Sequence, residues 1–153
     1  MNSDEILALA AQNAQKEDFE QAIVHLKTLL NATPNHEIAL GMLAGIYAQL
    51  NMHSRAIDLF HCILKFHPSN PLARFQLGLA LLANKQPEEA LKAWAPSLKQ
   101  RDDFASHFYS GVALIELQKP KEAQAMFSQA AKHMDKSHPL FDQLQKFLAL
   151  STI

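Results

Sequence analysis

The side chains of this chain that could do chemistry gather in the stretch Asp58-Leu-Phe-His61-Cys62-Ile-Leu-Lys-Phe-His67. Asp58, His61, Cys62 and His67 are all metal-ligating types. On a helix Asp58 and Cys62, four apart, share a face, and Asp58 and His61, three apart, nearly do. A structural metal site needs about four such donors converging on one point. That convergence is not expected here. His61 should turn to the outer surface, and Cys62 falls where a small buried residue is expected. The sequence contains no HExxH and no paired CxxC. A Cys–His nucleophile pair is disfavoured by the same placement, because a thiol in apolar surroundings stays protonated and inert. His133 and His138 flank a loop and need no role. The chain has four glycines and no Gly-rich phosphate loop. No metal, cofactor or catalytic residue is expected, and the chain reads as a non-enzyme.

The bulk properties exclude further classes. Lys plus Arg is 14 against 15 acids, a net charge of −1, and no basic stripe is present. Nucleic acid is therefore not an expected partner. The start, MNSDEILALAAQNAQ, is acidic, and polar residues soon break its apolar run. Neither a signal peptide nor a membrane-spanning segment is expected. The single cysteine can form no internal disulfide, which fits a reducing compartment and a cytoplasmic location. With 153 residues, 48% of them apolar, the chain can bury a sizeable core. Few glycines and abundant Ala, Leu, Gln and Lys favour helix throughout.

The elements that would position these residues repeat. Gly78 has small counterparts at Ala10, Ala44 and Gly111, so one position recurs at a nearly constant interval. Ala90 has counterparts at Ala22, Ala56 and Ala123 at the same interval, and a large residue follows four places later: Leu26, Phe60, Trp94 and Phe127. Small residues on both helices of a pair let their backbones approach, so each copy predicts an antiparallel helical hairpin. The first helix is expected over about residues 3–16 with Ser3 as N-cap, and Asp4 and Glu5 suit its positive end. Asn70 before Pro71 predicts another cap, and Pro87 and Pro120 should open later second helices. Pro96 falls inside the second helix of the third copy and should bend or end it. A last helix is expected over about 139–150, with Phe141, Leu144, Phe147 and Leu148 on one stripe. One hairpin cannot bury its own apolar faces, so copies must stack and the end must be covered.

The pattern resembles the tetratricopeptide repeat (TPR) family, whose signature is W-x₂-L-G-x₂-Y…A-x₃-F…P. Leu9-Ala10, Leu43-Ala44-Gly45-Ile46-Tyr47 and Leu77-Gly78 carry its first half, and the four alanines carry its second. No copy has the early Trp, and the fourth has Ser110 where Leu is usual. The resemblance implies an all-α, right-handed α-solenoid: four hairpins at about 3–36, 37–70, 71–103 and 104–137, then a capping helix at about 139–150. Residues 1–153 would form a single domain.

Partner binding is what the resemblance implies for function. In this family the first helix of each repeat lines a concave groove. The residues expected there are Leu7, Ala11 and Ala14; Gly41, Gly45 and Ala48; Phe75, Leu79 and Leu82; and Phe108, Val112 and Ile115. This set is almost wholly apolar. It lacks the Lys, Arg and Asn with which some members hold acidic chaperone C-termini. The expected function is an interaction module, adaptor or chaperone that holds a peptide or helix of a partner protein in an apolar groove. The alternative is a structural homo-oligomer formed through the groove or the last helix. A metal-binding or enzymatic role ranks below both.

Overall fold

The structure, a computed structural model, describes residues 1–150. Regular structure among these residues is helical. Helix α1 is Ser3–Gln15, α2 Phe19–Ala32, α3 Glu37–Gln49, α4 His53–Phe66, α5 Pro71–Ala83, α6 Pro87–Trp94, α7 Phe104–Glu116, α8 Pro120–His133 and α9 Phe141–Leu150.

The helix starts follow local chemistry. Asn2, not Ser3, caps α1. Its side chain accepts from the Glu5 N–H at 2.9 Å, and the Glu5 carboxylate accepts from the Asn2 N–H at 3.3 Å. The two residues thus form a reciprocal capping box. Asn70 caps α5 as the sequence predicts, accepting from the Ala73 N–H at 2.9 Å. Asp103 caps α7, taking the Ser106 N–H at 3.0 Å and the Ser106 hydroxyl at 2.8 Å. Proline opens α6 and α8, where its missing N–H removes no helical bond. Pro96 ends α6 after 8 residues, and a 3₁₀ segment, Ala95–Lys99, replaces the rest of that helix. The Pro96 ring cannot donate to the carbonyl of Lys92, so the α-helical ladder stops there.

The turn inside each hairpin has one form. Glu17, Asn51, Lys85 and Gln118 have φ of 61°, 59°, 65° and 60°, in the left-handed region. Beside each, two N–H groups reach back to the helix just ended. In the last, the Gln118 N–H donates to the Ile115 carbonyl at 3.0 Å and the Lys119 N–H to the Leu114 carbonyl at 2.9 Å. This is the Schellman pattern, which satisfies carbonyls left open at a helix C-terminus.

The chain divides into two compact units, Met1–Ala80 and Leu81 onward, with α5 running across the boundary. In the first unit α1 packs on α2, α3 on α4, and α2 on α3. Ala10, Ala22, Ala44 and Ala56 are fully buried there, with Leu26, Phe60 and Ile63 beside them. In the second unit α7 packs on α8 and on α6, and α9 packs on α8. Its core joins Phe108, Leu114, Ala123, Phe127, Ala130, Met134 and Leu144. Phe147 of α9 stacks on Phe127, with centroids 4.7 Å apart and planes 8° from parallel. The Gln124 side-chain amide also donates to the Phe147 carbonyl at 2.9 Å. Helix α9 therefore covers the apolar side of α8, the role that the stripe Phe141, Leu144, Phe147 and Leu148 suggests. Burial in this core holds the Tyr109 phenol above its ordinary pKa.

Two substitutions test this construction. A Cβ at Gly111 would stand 2.6 Å from the buried Phe127 ring. Gly111→Ala is expected to lower stability by about 1–2 kcal/mol, overpacking outweighing the gain in helix propensity. Gln118→Gly should raise stability by several tenths to about 1 kcal/mol, because the left-handed conformation disfavours residues with a Cβ. Urea unfolding followed by circular dichroism reads both. Equal midpoints for the two variants would contradict the packing at Gly111 and the turn at Gln118.

Candidate functional site

The inner row of the first unit comes from the first helices of the repeats. Counting by the repeat, Leu7, Gly41 and Phe75 share one position, and Ala11, Gly45 and Leu79 share the next position on the stripe. His36 caps α3, its Nδ1 accepting from the Ala39 N–H at 3.3 Å, so Gly41 and Gly45 sit well inside a regular helix. Leu7, Gly41, Gly45, Ala48, Phe75 and Leu79 are half-buried, and Ala11 is exposed.

At Gly41 and Gly45 the row is interrupted. A Cβ added at either would meet nothing within 4 Å. An open cleft of ≈ 390 Å³ occupies this space. Gly41, Met42 and Gly45 of α3 form one wall, and Leu72, Ala73 and Gln76 of α5 the other. Buried Phe60 and Ile63 of α4 make its floor. At the mouth stand Ile38, 60% exposed, and Leu72, 63% exposed, which hold the same position in successive repeats.

A polar cluster borders one end. The Asn70 amide donates to Glu37 Oε1 at 2.7 Å, and His67 Nδ1 lies 3.2 Å from Glu37 Oε2. His67 Nε2 lies 3.4 Å from the Asn35 carbonyl. Both oxygens can only accept, so each ring nitrogen of His67 faces an acceptor. The cluster ties the turn before α3 to the turn before α5 and braces the two walls of the cleft.

The sequence points to Gly41 and Gly45 but not to the mouth. Ile38 and Leu72 read as ordinary apolar residues of a first turn. Their signal is the shared repeat position, which Asp4 and Ala105 hold in the other copies. The second unit holds the remaining expected groove residues. Leu82 and Val112 are half-buried and Ile115 is 37% exposed. Phe108 does not face an open groove. It is 1% exposed, with ring centroids 5.0 Å from Tyr109, 5.8 Å from Phe127 and 6.1 Å from Phe147. The last helix supplies Phe147, which covers it and draws it into the core. A smaller cavity of ≈ 260 Å³ in this unit is lined by Leu98, Arg101, His107, Ala125, Met126 and Gln129.

The metal-ligating types are dispersed. Asp58 and His61 are exposed, and His67 is engaged with Glu37. Cys62 is half-buried, not fully buried as expected, because Ile63 takes the buried position of that turn. Among the described residues no group of three or more His, Cys, Asp or Glu side chains is placed to hold a metal ion. Nor is any helix among them long and apolar enough to cross a membrane.

Helical hairpins recurring at a nearly constant interval, with an apolar cleft between successive first helices, define an all-α helical-repeat protein. A family model of the tetratricopeptide repeat matches residues 55–106 and 75–139, and the chain belongs to that family. The family is generally a non-catalytic protein-interaction fold. No curated protein matches the chain. Among solved structures, the crystal structure of MamA protein superposes with a TM-score of 0.87 at 17% identity, covering 97% of this chain and 79% of that one. MamA residues 41 to the end from Desulfovibrio magneticus RS-1 give 0.85 at 20% identity, covering 97% and 84%. YrrB, described as a TPR protein with an unusual peptide-binding site, gives 0.79 at 18% identity, covering 99% and 78%. At these identities the likeness is one of fold.

The open space at α3 generates a prediction opposite in sign to that for Gly111. Gly41→Ala and Gly45→Ala should each raise stability by up to about 1 kcal/mol, since alanine is the better helix former and meets nothing. A higher unfolding midpoint for Gly45→Ala beside a lower one for Gly111→Ala is the expected pair of results.

Proposed function

We propose that this chain is a non-catalytic interaction module that holds a segment of another protein against the apolar row of its first helices. The observation that carries the reading is the cleft between α3 and α5, open and apolar, with Ile38 and Leu72 exposed at its mouth. Exposed apolar side chains flanking a concavity are a common mark of a binding surface. Leu7, Ala11, Ala48, Phe75 and Leu79 are proposed contacts in the same unit. Leu82, Val112 and Ile115 are proposed as further apolar contacts in the second unit. Family membership and the peptide-binding description of YrrB support the same reading. The single cysteine suits a reducing compartment, and the cytoplasm is the proposed location.

The magnitude follows from area. A segment burying on the order of 400 Å² of apolar surface gains roughly 10 kcal/mol gross at ~25 cal/mol per Å². Association and ordering entropy consume a large part of that gain. A micromolar to millimolar dissociation constant, about −8 to −4 kcal/mol, is the expected outcome. Affinity capture from the source cell supplies the partner, and calorimetric titration then compares three variants. Ile38→Glu and Leu72→Glu should each weaken binding at least tenfold with the helical spectrum unchanged. Val24→Glu, at an exposed apolar residue of α2 outside the cleft, should bind like wild type. Indifference of binding to both cleft variants would place the contact elsewhere and refute the reading.

A further inference from the structure

Resting on that interaction reading, we propose that the cleft between α3 and α5 is a socket for one bulky apolar side chain, aromatic or leucine, carried by a basic partner segment with a lysine or arginine close to that anchor.

The shape argument starts from what repeat two leaves out. At the two stripe positions where it has Gly41 and Gly45, the neighbouring third repeat has Phe75 and Leu79. Neither glycine is required by its own backbone. Both lie inside a regular helix, neither has a positive φ, and no atom approaches where a Cβ would stand. Gly111 is the contrast, since the Phe127 ring occupies its Cβ space. The glycines at 41 and 45 therefore cost helix propensity and leave open space at the positions where repeat three carries Phe75 and Leu79. The cavity of ≈ 390 Å³ is near the small end of the range for ligand pockets, ~300–1,000 Å³. Its floor of Phe60 and Ile63 is apolar, and Ile38 and Leu72 stand at the rim where they would exclude water around an inserted anchor.

The charge argument selects what flanks the anchor. Glu37 is the charged residue of the lining. Its side chain stays 41% accessible while accepting from Asn70 and facing His67. Arg74, a nearby fixed cation, turns to the Pro68 carbonyl at 3.0 Å and is not part of the lining. A lysine or arginine of the partner completes the acceptor capacity of Glu37, and an acidic flank meets repulsion.

The test uses a defined probe. The peptide acetyl-Ala-Lys-Ala-Phe-Ala-Lys-Ala-amide is titrated into the full chain while the amide signals of its four glycines are followed by NMR. The signals of Gly41 and Gly45 should move and that of Gly111 should stay. Exchanging the peptide's Phe for Ala should weaken binding at least tenfold, and exchanging both Lys for Glu at least fivefold. Glu37→Gln should remove most of the preference for Lys over Glu. Gly45→Leu fills the vacancy and should abolish the shifts at Gly41 with no loss in unfolding midpoint. The proposal is overturned if the Phe and Ala peptides titrate alike, or if the acidic peptide binds as well as the basic one. Molar mass measured at the NMR concentration should be that of a monomer. A dimer dissolved by Gly45→Leu would mean that a second copy, presenting its exposed Phe66 beside Lys65, is the occupant instead. Should the peptides fail while a captured partner still depends on Ile38 and Leu72, the socket is refuted and the interaction reading stands. Should the peptides succeed while the partner ignores those two residues, the reverse holds.

Discussion

Four methyl groups set the geometry of this protein. Ala22, Ala56, Ala90 and Ala123 are each fully buried on the second helix of a repeat. Packed helices run about 8–10 Å apart, and the residues at the crossing decide where in that range they settle. An alanine at the crossing keeps a second helix close to its first. That closeness lets the large residue four places on, such as Phe60 or Phe127, reach under the first helix and fill the core. Larger side chains there would separate each pair, and the floor of the cleft in the first unit would drop away with Phe60. The pattern of small then large residues is thus a packing rule that the pairs α1–α2, α3–α4 and α7–α8 share.

How much of this is legible in the sequence depends on whether a residue's role is written in its type. Packing roles are, because size and polarity recur at fixed intervals. The repeat, the prolines that open α6 and α8, the break at Pro96 and the Asn70 cap are all of this kind. Conformations that a residue merely tolerates leave no such trace. Glu17, Lys85 and Gln118 hold left-handed turns that glycine usually fills, so nothing in their type announces the Schellman closure. Burial near a chain end is also hard to read, since it depends on what else is folded over. Phe108 sits at a groove position, yet Phe147 arrives from two helices further along and covers it. Cys62 and Ile63 differ by a single step around the helix, about 100°, finer than an approximate repeat register resolves.

The site is legible in its absences more than in its contents. Gly41 and Gly45 stand out because a helix has little use for glycine, and their surroundings divide them from Gly111. Gly111 is a tight fit against an aromatic ring, while the other two face open space. One residue type therefore serves closure in one repeat and vacancy in another. The polar bracket of Glu37, Asn70 and His67 joins the starts of successive repeats, so it is itself a product of the periodicity. It gives the cleft a defined polar edge beside its apolar floor.

The position of the single tryptophan has a practical consequence for watching this protein unfold. Trp94 is fully buried in the second unit, and the first unit contains no tryptophan at all. Intrinsic fluorescence excited at the indole band therefore reports the surroundings of α6, whereas far-ultraviolet dichroism averages over every helix. Repeat arrays gain stability from neighbour to neighbour and need not melt as one body. The gap between the two optical signals, measured on unlabelled protein, becomes a direct reading of cooperativity along the chain.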